Sequence, residues 1–404
     1  FGLVYEKGIH GESLFAEFAT LDPNVLAVKL DGCTKEDYVW GLRVGFITFA
    51  LKGASEAQLK VLEDKAAGSV RSCISNASSI GQHLAVAAFA AWGVTASAGV
   101  RSWEPWYDTN GHVINAHGGG VMYDDGAYWW YGEHKVYGEA GNQAWVGVHA
   151  YRSTDLVTWE DRGVVLKVSD DPASEITAGC IIERPKVVYC PNNGLTLMFF
   201  HFEPKCDRAT YSGGMVGIAQ SARPEGPFRF LYATRPCGTI VRDQTVFVDD
   251  DGKAYFIAAT GPKNAKLAVF PLTADYFDFT GEKFVIEASL RDEAPAVFKH
   301  DGWYYILASD CTGWKPNAAR YLRARSITGP WERMPNPCVG TDPKTGLGPE
   351  LTWGGQSTYV QKLPDGTFLA LFDRWRPEAI HDSRYFWLPF SVKADHTFEI
   401  VWPR

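Results

Sequence analysis

The chain has 404 residues, 46% hydrophobic and 21% charged, with a formal net charge of −8. That composition excludes a disordered chain and lacks the basic footprint of a nucleic-acid binder. Its 15 Trp, 18 Tyr and 23 Phe stand beside 40 Gly and 22 Pro, a balance that fits short aromatic strands and tight turns better than helices.

Residues 1–70 carry few strand and turn signals and form an N-terminal extension to which no chemistry can be assigned. One helix is predicted there, over Ser55–Ala67 (SEAQLKVLEDKAA). Residues 71–102 then offer a basic start, an apolar run from Leu84 to Val94 and the small residues Ala96, Ser97 and Ala98. This is the layout of a secretory signal, too short to span a membrane comfortably; the alternative is a buried Ala-rich helix. The signal reading predicts a secreted, extracellular protein. Eight cysteines, none in C-x-x-C spacing, are compatible with disulfides in such a protein and equally with buried free thiols.

From Trp103 to Arg404 a repeat appears. Five Gly-bearing turns, at Gly126, Gly194, Gly252, Gly302 and Gly366, each lead into an aromatic strand, at spacings of 68, 58, 50 and 64 residues. Asp-Gly and Asn-Gly between apolar strands are strong hairpin signals. Periods of this length in an all-β chain predict a propeller. The expectation is therefore a five-bladed β-propeller over 103–404, with a two-sheet sandwich as the alternative.

A propeller's inner strands run along one central channel. In the strand before each hairpin, a polar residue recurs nine to eleven positions ahead of the turn glycine: His117, Glu183, Asp243, Glu293 and Gln356. Acids in apolar strands are costly to bury unless they have partners or a task. Arg184 and Arg242 sit beside two of them, so salt bridges locking the blades are one reading. A pocket of carboxylates with displaced pKa values is the other. Two carboxylates flanking a glycosidic bond are the usual equipment of sugar hydrolysis. Glu293, with Asp292 beside it to help keep it protonated, and Glu183 are the expected pair; Glu133, in WYGEHK, is a further candidate at the channel mouth.

The stretches DTNGHVINAHGGG, YWWYGEHK, IERPKV, VRDQTVFVDDDG, DEAPAV, SDCTGW, GGQSTYV and FDRWRPEAIHDSRYFWLPF resemble glycoside hydrolase family 43, in its exo-β-1,3-galactanase and β-galactosidase branch. The resemblance implies hydrolysis with inversion on a five-bladed propeller. It implies Glu293 as general acid, Glu183 as the acid that tunes and orients it, and Gln356 as a stand-in for the base. Glu133 and Asp243 match sugar-binding positions, and His117 is placed with them as a substrate contact. The wider family carries a base Asp on the first inner strand, where this chain has His117. That leaves Gln356, Asp108 and His117 open as the group acting on water.

The expected activity is exo-acting release of terminal β-1,3-linked galactose from galactan or arabinogalactan. An α-L-arabinofuranosidase on arabinogalactan side chains and a non-catalytic carbohydrate-binding propeller are the alternatives. The expected partner is a polysaccharide or oligosaccharide, with no nucleic acid, no membrane and a monomeric chain. No cofactor is expected; relatives hold a channel calcium, but Asp249, Asp250 and Asp251 read more simply as a solvated hairpin turn.

Overall fold

A computed structural model of the protein describes residues 26–32, 45–55, 58–61, 103–138, 143–205 and 211–403. The chain divides into two compact units, Phe1–Trp92 and Gly93–Arg404. The signal-like segment 71–102, Cys33, Cys73 and Cys206 lie outside the described residues.

In the first unit, strand Leu26–Gly32 pairs antiparallel with Gly45–Leu51. Sequence reading missed this hairpin, because residues 33–44 separate the strands and no tight-turn signal joins them. Of the predicted helix, the described part is a helical turn over 58–61. A capping box opens it: the Ser55 N–H donates to Oε1 of Gln58 at 2.9 Å and the Gln58 N–H to Oγ of Ser55 at 3.4 Å.

The second unit is the expected five-bladed β-propeller. Its inner strands are His117–Asp124, Cys180–Cys190, Val241–Val248, Asp292–His300 and Gln356–Lys362. Neighbouring inner strands pack side by side around one axis, and the fifth returns against the first. Each is followed by its hairpin partner, and all five turn glycines have positive φ. In blades one and four the turn is a two-residue Asp-Gly, and Asp125 and Asp301 share the positive φ, at 42° and 46°. That is the type I′ geometry matched to strand twist.

Blades one, three and four have four strands. Blade two gains a fifth, because Gln143–Ala144 reaches over from blade one to pair with the start of Cys180–Cys190. Blade five has three, and the terminal Ile400–Val401 pairs instead with Cys338–Val339.

Both faces of each blade are buried, which explains near-continuous apolar runs such as AYWWY. Successive side chains alternate faces. Trp129 therefore enters the core between blades one and two, and Trp130 the core between blades five and one. Trp106, from the approach to blade one, seals that last core: its ring centroid is 4.9 Å from that of Trp387, which lies 4.8 Å from Trp130. The five described cysteines of this unit, Cys180, Cys190, Cys237, Cys311 and Cys338, are thiols.

Candidate active site

The ladder of every inner strand slips at or just after its polar residue: between His117 and Gly120, Glu183 and Lys186, Val241 and Gln244 (a slip that includes Asp243), Glu293 and Ala296, and Ser357 and Tyr359. These are β-bulges, which re-aim side chains. At three of them the residue after the polar one is left-handed: Gly118 at φ 60°, Arg184 at 52° and Ala294 at 54°. For Arg184 and Ala294 that conformation costs on the order of 1–3 kcal/mol each. Carboxylates of the adjoining blades hold the bulge amides left out of the ladders. Gly118 N–H donates to Asp373, Arg184 N–H to Glu133 at 2.8 Å, and Ala294 N–H to Asp243 at 3.0 Å.

The bulges surround a cavity of about 320 Å³ at the channel mouth. Glu133, Glu183, Asp243, Glu293 and Gln356 all line it, with Arg184, His201, Tyr211, Arg242, Asn264, Cys311, Trp314 and Trp375. His117 does not. It is fully buried, stacked on Tyr385 at 5.1 Å between centroids. Burial, aided by the Lys135 charge, pushes its imidazole down to about 3. The expected substrate contact at His117 is therefore corrected: the bulge at Gly118 leaves it behind the cavity wall. Asp108 is also outside the lining, its Oδ1 taking the N–H groups of Asn110 and His112 in a local turn.

Glu293 is 8% exposed. Its Oε1 accepts from Nε2 of Gln356 at 3.1 Å and its Oε2 from Nδ2 of Asn264 at 3.2 Å. Burial, reinforced by the charge of Asp243, pushes the carboxyl up to about 7. Asp243, rather than Asp292, is the acid that works on Glu293. Adjacent strand residues face opposite ways, and Asp292 turns from the channel to pair with Arg320 and Arg333 at 3.1 and 2.5 Å.

Arg184 ties the site together. Its Nε meets Oδ2 of Asp243 at 2.9 Å and its Nη2 donates to Oε1 of Gln356 at 2.6 Å. The blade-locking and functional readings of the inner-strand acids thus coexist in one network. The Gln356 amide is engaged at both ends: Oε1 also accepts from Nε1 of Trp375 at 2.8 Å, and Nε2 donates to Oγ of Ser309 at 2.9 Å.

Glu183 accepts from the Tyr211 hydroxyl at 2.7 Å and from Nδ1 of His201 at 2.7 Å. Burial opposes its ionisation, but the His201 bond and charge outweigh it and hold the carboxyl below its ordinary range. Glu133 is committed to the Arg184 amide and to Nζ of Lys135, 2.6 Å away. The cavity thus pairs one carboxyl that keeps its proton near neutral pH with one that stays ionised, the division of labour acid-assisted bond cleavage needs.

Sequence reading missed Asn264, Cys311, Tyr211, His201, Trp314 and Trp375 as lining residues. The signal for three of them was present in the quoted SDCTGW and FDRWRP stretches; Trp314 and Trp375 meet edge to face at 5.5 Å.

A channel calcium does not fit these residues. Nζ of the buried Lys186 donates to the carbonyls of Gly118 at 2.9 Å and Arg184 at 3.2 Å. Among the described residues no three His, Cys, Asp or Glu side chains gather in a metal-holding group. In the DDDG turn, Asp249 is bound to Lys299 and Tyr304, and Asp251 to Lys253.

The profile of Glycosyl hydrolases family 43 matches residues 117–391. A solved β-1,3-galactosidase of that family, in complex with galactodeoxynojirimycin, is 38% identical, with a TM-score of 0.69 over 75% of this chain and 98% of its own. An exo-β-1,3-galactanase from Phanerochaete chrysosporium, solved with β-1,3-galactotriose, is 29% identical, with a TM-score of 0.66 over 74% of this chain and 66% of its own. Among curated proteins, a β-D-galactofuranosidase of Aspergillus niger is 29% identical over 52% of this chain. A xylosidase/arabinosidase of Humicola insolens is 24% identical over 48%. This chain spans 64% and 37% of the lengths of those two relatives.

Proposed function

The chain belongs to glycosyl hydrolases family 43, and we propose that within it the enzyme is an exo-acting, inverting galactosidase that removes terminal β-1,3-linked galactose from galactan or arabinogalactan. The observation that carries this reading is the meeting, in one cavity, of the buried Glu293, whose carboxyl is pushed up to about 7, with Glu183, held toward its ionised form by His201 and Tyr211. Likeness to solved β-1,3-galactosidases and exo-β-1,3-galactanases supports the choice of sugar and linkage.

In this reading Glu293 gives its proton to the glycosidic oxygen as the bond to the anomeric carbon breaks. Glu183 stays an anion and orients the acid and the sugar. Asp243 and Glu133 hold sugar hydroxyls at the wall, and Trp314 and Trp375 offer ring faces. Gln356 is assigned to the water that attacks the opposite face. Inversion places acid and water-directing group about 6.5–9.5 Å apart, whereas Glu293 and Gln356 touch. Substrate entry must therefore part that contact. The signal-like layout of 71–102 supports an enzyme that meets its polysaccharide outside the cell.

A substrate panel tests the proposal: β-1,3-galactobiose, an aryl β-galactoside, an aryl α-L-arabinofuranoside and an aryl β-galactofuranoside. Release of galactose from the disaccharide, appearing first as the α-anomer by NMR, is expected. Preference for either furanoside would overturn the choice of sugar. Turnover of none, with binding retained, would favour a carbohydrate-binding propeller.

A further inference from the structure

His201 lies between two carboxylates. Its Nδ1 is 2.7 Å from Oε2 of Glu183, and its Nε2 is 2.9 Å from Oε1 of Glu203. A neutral imidazole has one N–H and one bare lone pair; in this position the lone pair would face a carboxylate oxygen. Each acid also accepts from further donors, which favour its ionised form over a protonated one. Glu183 also takes the Tyr211 hydroxyl at 2.7 Å. Glu203 also takes the N–H groups of Gly213 and Gly214. The arrangement points to donation from both ring nitrogens of His201.

The contacts close into a ring. Glu183 holds His201, His201 holds Glu203, Glu203 holds the Gly213–Gly214 turn, and the segment before that turn returns Tyr211 to Glu183. Tyr211 itself is left-handed at φ 50° and stacks on His201 at 5.7 Å. Gly213 is required by the close approach: a Cβ there would lie 2.4 Å from Oε2 of Glu203. Arg235 clasps the same turn through the carbonyls of Gly213 and Ser212, and Arg242 takes the carbonyl of Tyr211.

We propose that His201, backed by Glu203, is a positioning residue held as an imidazolium that fixes Glu183 as an oriented anion, and that Tyr211 completes the fixation from the loop side. Among the described residues, the titratable groups facing His201 are Glu183 on the inner strand, Glu203 on its own strand and Tyr211 on the loop. Burial would lower the imidazole, but the two carboxylates outweigh it and raise it to about 9. The catalytic consequence of this arrangement rests on the galactosidase reading above, whereas the charge state does not.

The test has two arms. In protein with 15N-labelled histidine, long-range 1H–15N correlation at pH 8 should show His201 with both ring nitrogens protonated, assigned by its loss in His201→Gln. If that variant does not fold, the perturbation of the same resonance in Tyr211→Phe assigns it. A neutral tautomer at pH 8 overturns the proposal, whatever the enzyme cleaves. In the kinetic arm, Glu203→Gln and Tyr211→Phe should lower kcat by about 10–100-fold, the scale of a misplaced catalytic group, with KM moving much less. Unchanged kcat in both variants overturns the positioning role. A doubly protonated His201 in a protein that cleaves no galactoside would sink the galactosidase reading and leave the charge assignment standing.

Discussion

Nε2 of Gln356 lies 3.1 Å from Oε1 of Glu293, and the other end of that amide is fixed by donors that cannot turn round. Arg184 and Trp375 have no lone pair to offer, so the oxygen, not the nitrogen, must face them. An imidic-acid form, with its hydrogen on that oxygen, would set that hydrogen against these donors and forfeit at least one of the two bonds. Gln356 is therefore held as an amide, suited to placing a water rather than to taking its proton. Gln356→Ala should lose activity equally on disaccharide and aryl galactoside. Gln356→Glu should set a second carboxyl against Glu293. Two such groups share a proton, so the basic limb of the kcat/KM profile should move to higher pH. A limb that stays in place would show that the contact is absent from the working enzyme.

Replacing the acid itself separates leaving groups. Protonation by a positioned side chain typically contributes about 10²–10⁴-fold. Glu293→Gln should lose activity on that scale with β-1,3-galactobiose, whose leaving sugar needs the proton. With a dinitrophenyl galactoside, which leaves as a stable anion, the loss should shrink markedly. Equal losses on both substrates would remove Glu293 from the role of acid.

The propeller was legible because its signals are local. An Asp-Gly or Asn-Gly turn and an alternating strand are written in consecutive residues, and the register of His117, Glu183, Asp243, Glu293 and Gln356 followed from counting back from the turns. The same count misplaced His117, since one bulged residue decides whether a side chain faces the mouth or the wall. It also set Asp292 beside Glu293, although strand alternation separates them and brings Asp243 across from the next blade. Asn264, Tyr211 and His201 were beyond reach. They arrive from second strands and loops whose positions depend on how blades pack, which sequence periodicity does not encode.

Glu293 also leaves a mark on stability. Its carboxyl is raised from 4.5 to about 7 on folding, so between those values the folded protein holds a proton that the unfolded chain has released. Stability must then fall as pH rises through that window. Above pH 7 the full penalty applies, on the order of 3 kcal/mol at 1.36 kcal/mol per unit. Glu293→Gln cannot ionise and escapes it. Urea denaturation should find the variant more stable than the parent at pH 8, with the gain fading toward pH 4.5. A variant equally destabilised at both pH values would refute the burial argument.

Removal of divalent metal should change nothing. The Nζ of the buried Lys186 already donates to the carbonyls of Gly118 and Arg184 at the channel wall. EDTA dialysis should leave both Tm and kcat where they were, and added calcium should raise neither. Lys186→Met should destabilise by about 1–3 kcal/mol for each carbonyl left unsatisfied. Dependence of the parent enzyme on calcium would show that a channel ion does bind.

Asp243 should move the basic limb the other way from Gln356→Glu. Its single oxygen Oδ2 serves both the Ala294 amide and Nε of Arg184, so Asp243→Asn can keep both bonds through its amide oxygen. What the substitution removes is a negative charge that raises the Glu293 carboxyl. The acid should then lose its proton earlier, and the basic limb of kcat/KM should shift to lower pH, in addition to any loss of sugar binding. Asp373 and Lys186 also titrate near 7, but neither lines the cavity. Opposite movement of one limb by changes on the two sides of Glu293, together with loss of that limb in Glu293→Gln, would identify it as the group that titrates, because the Asp243 charge also raises Lys186. A limb indifferent to Asp243→Asn would belong to Asp373 instead.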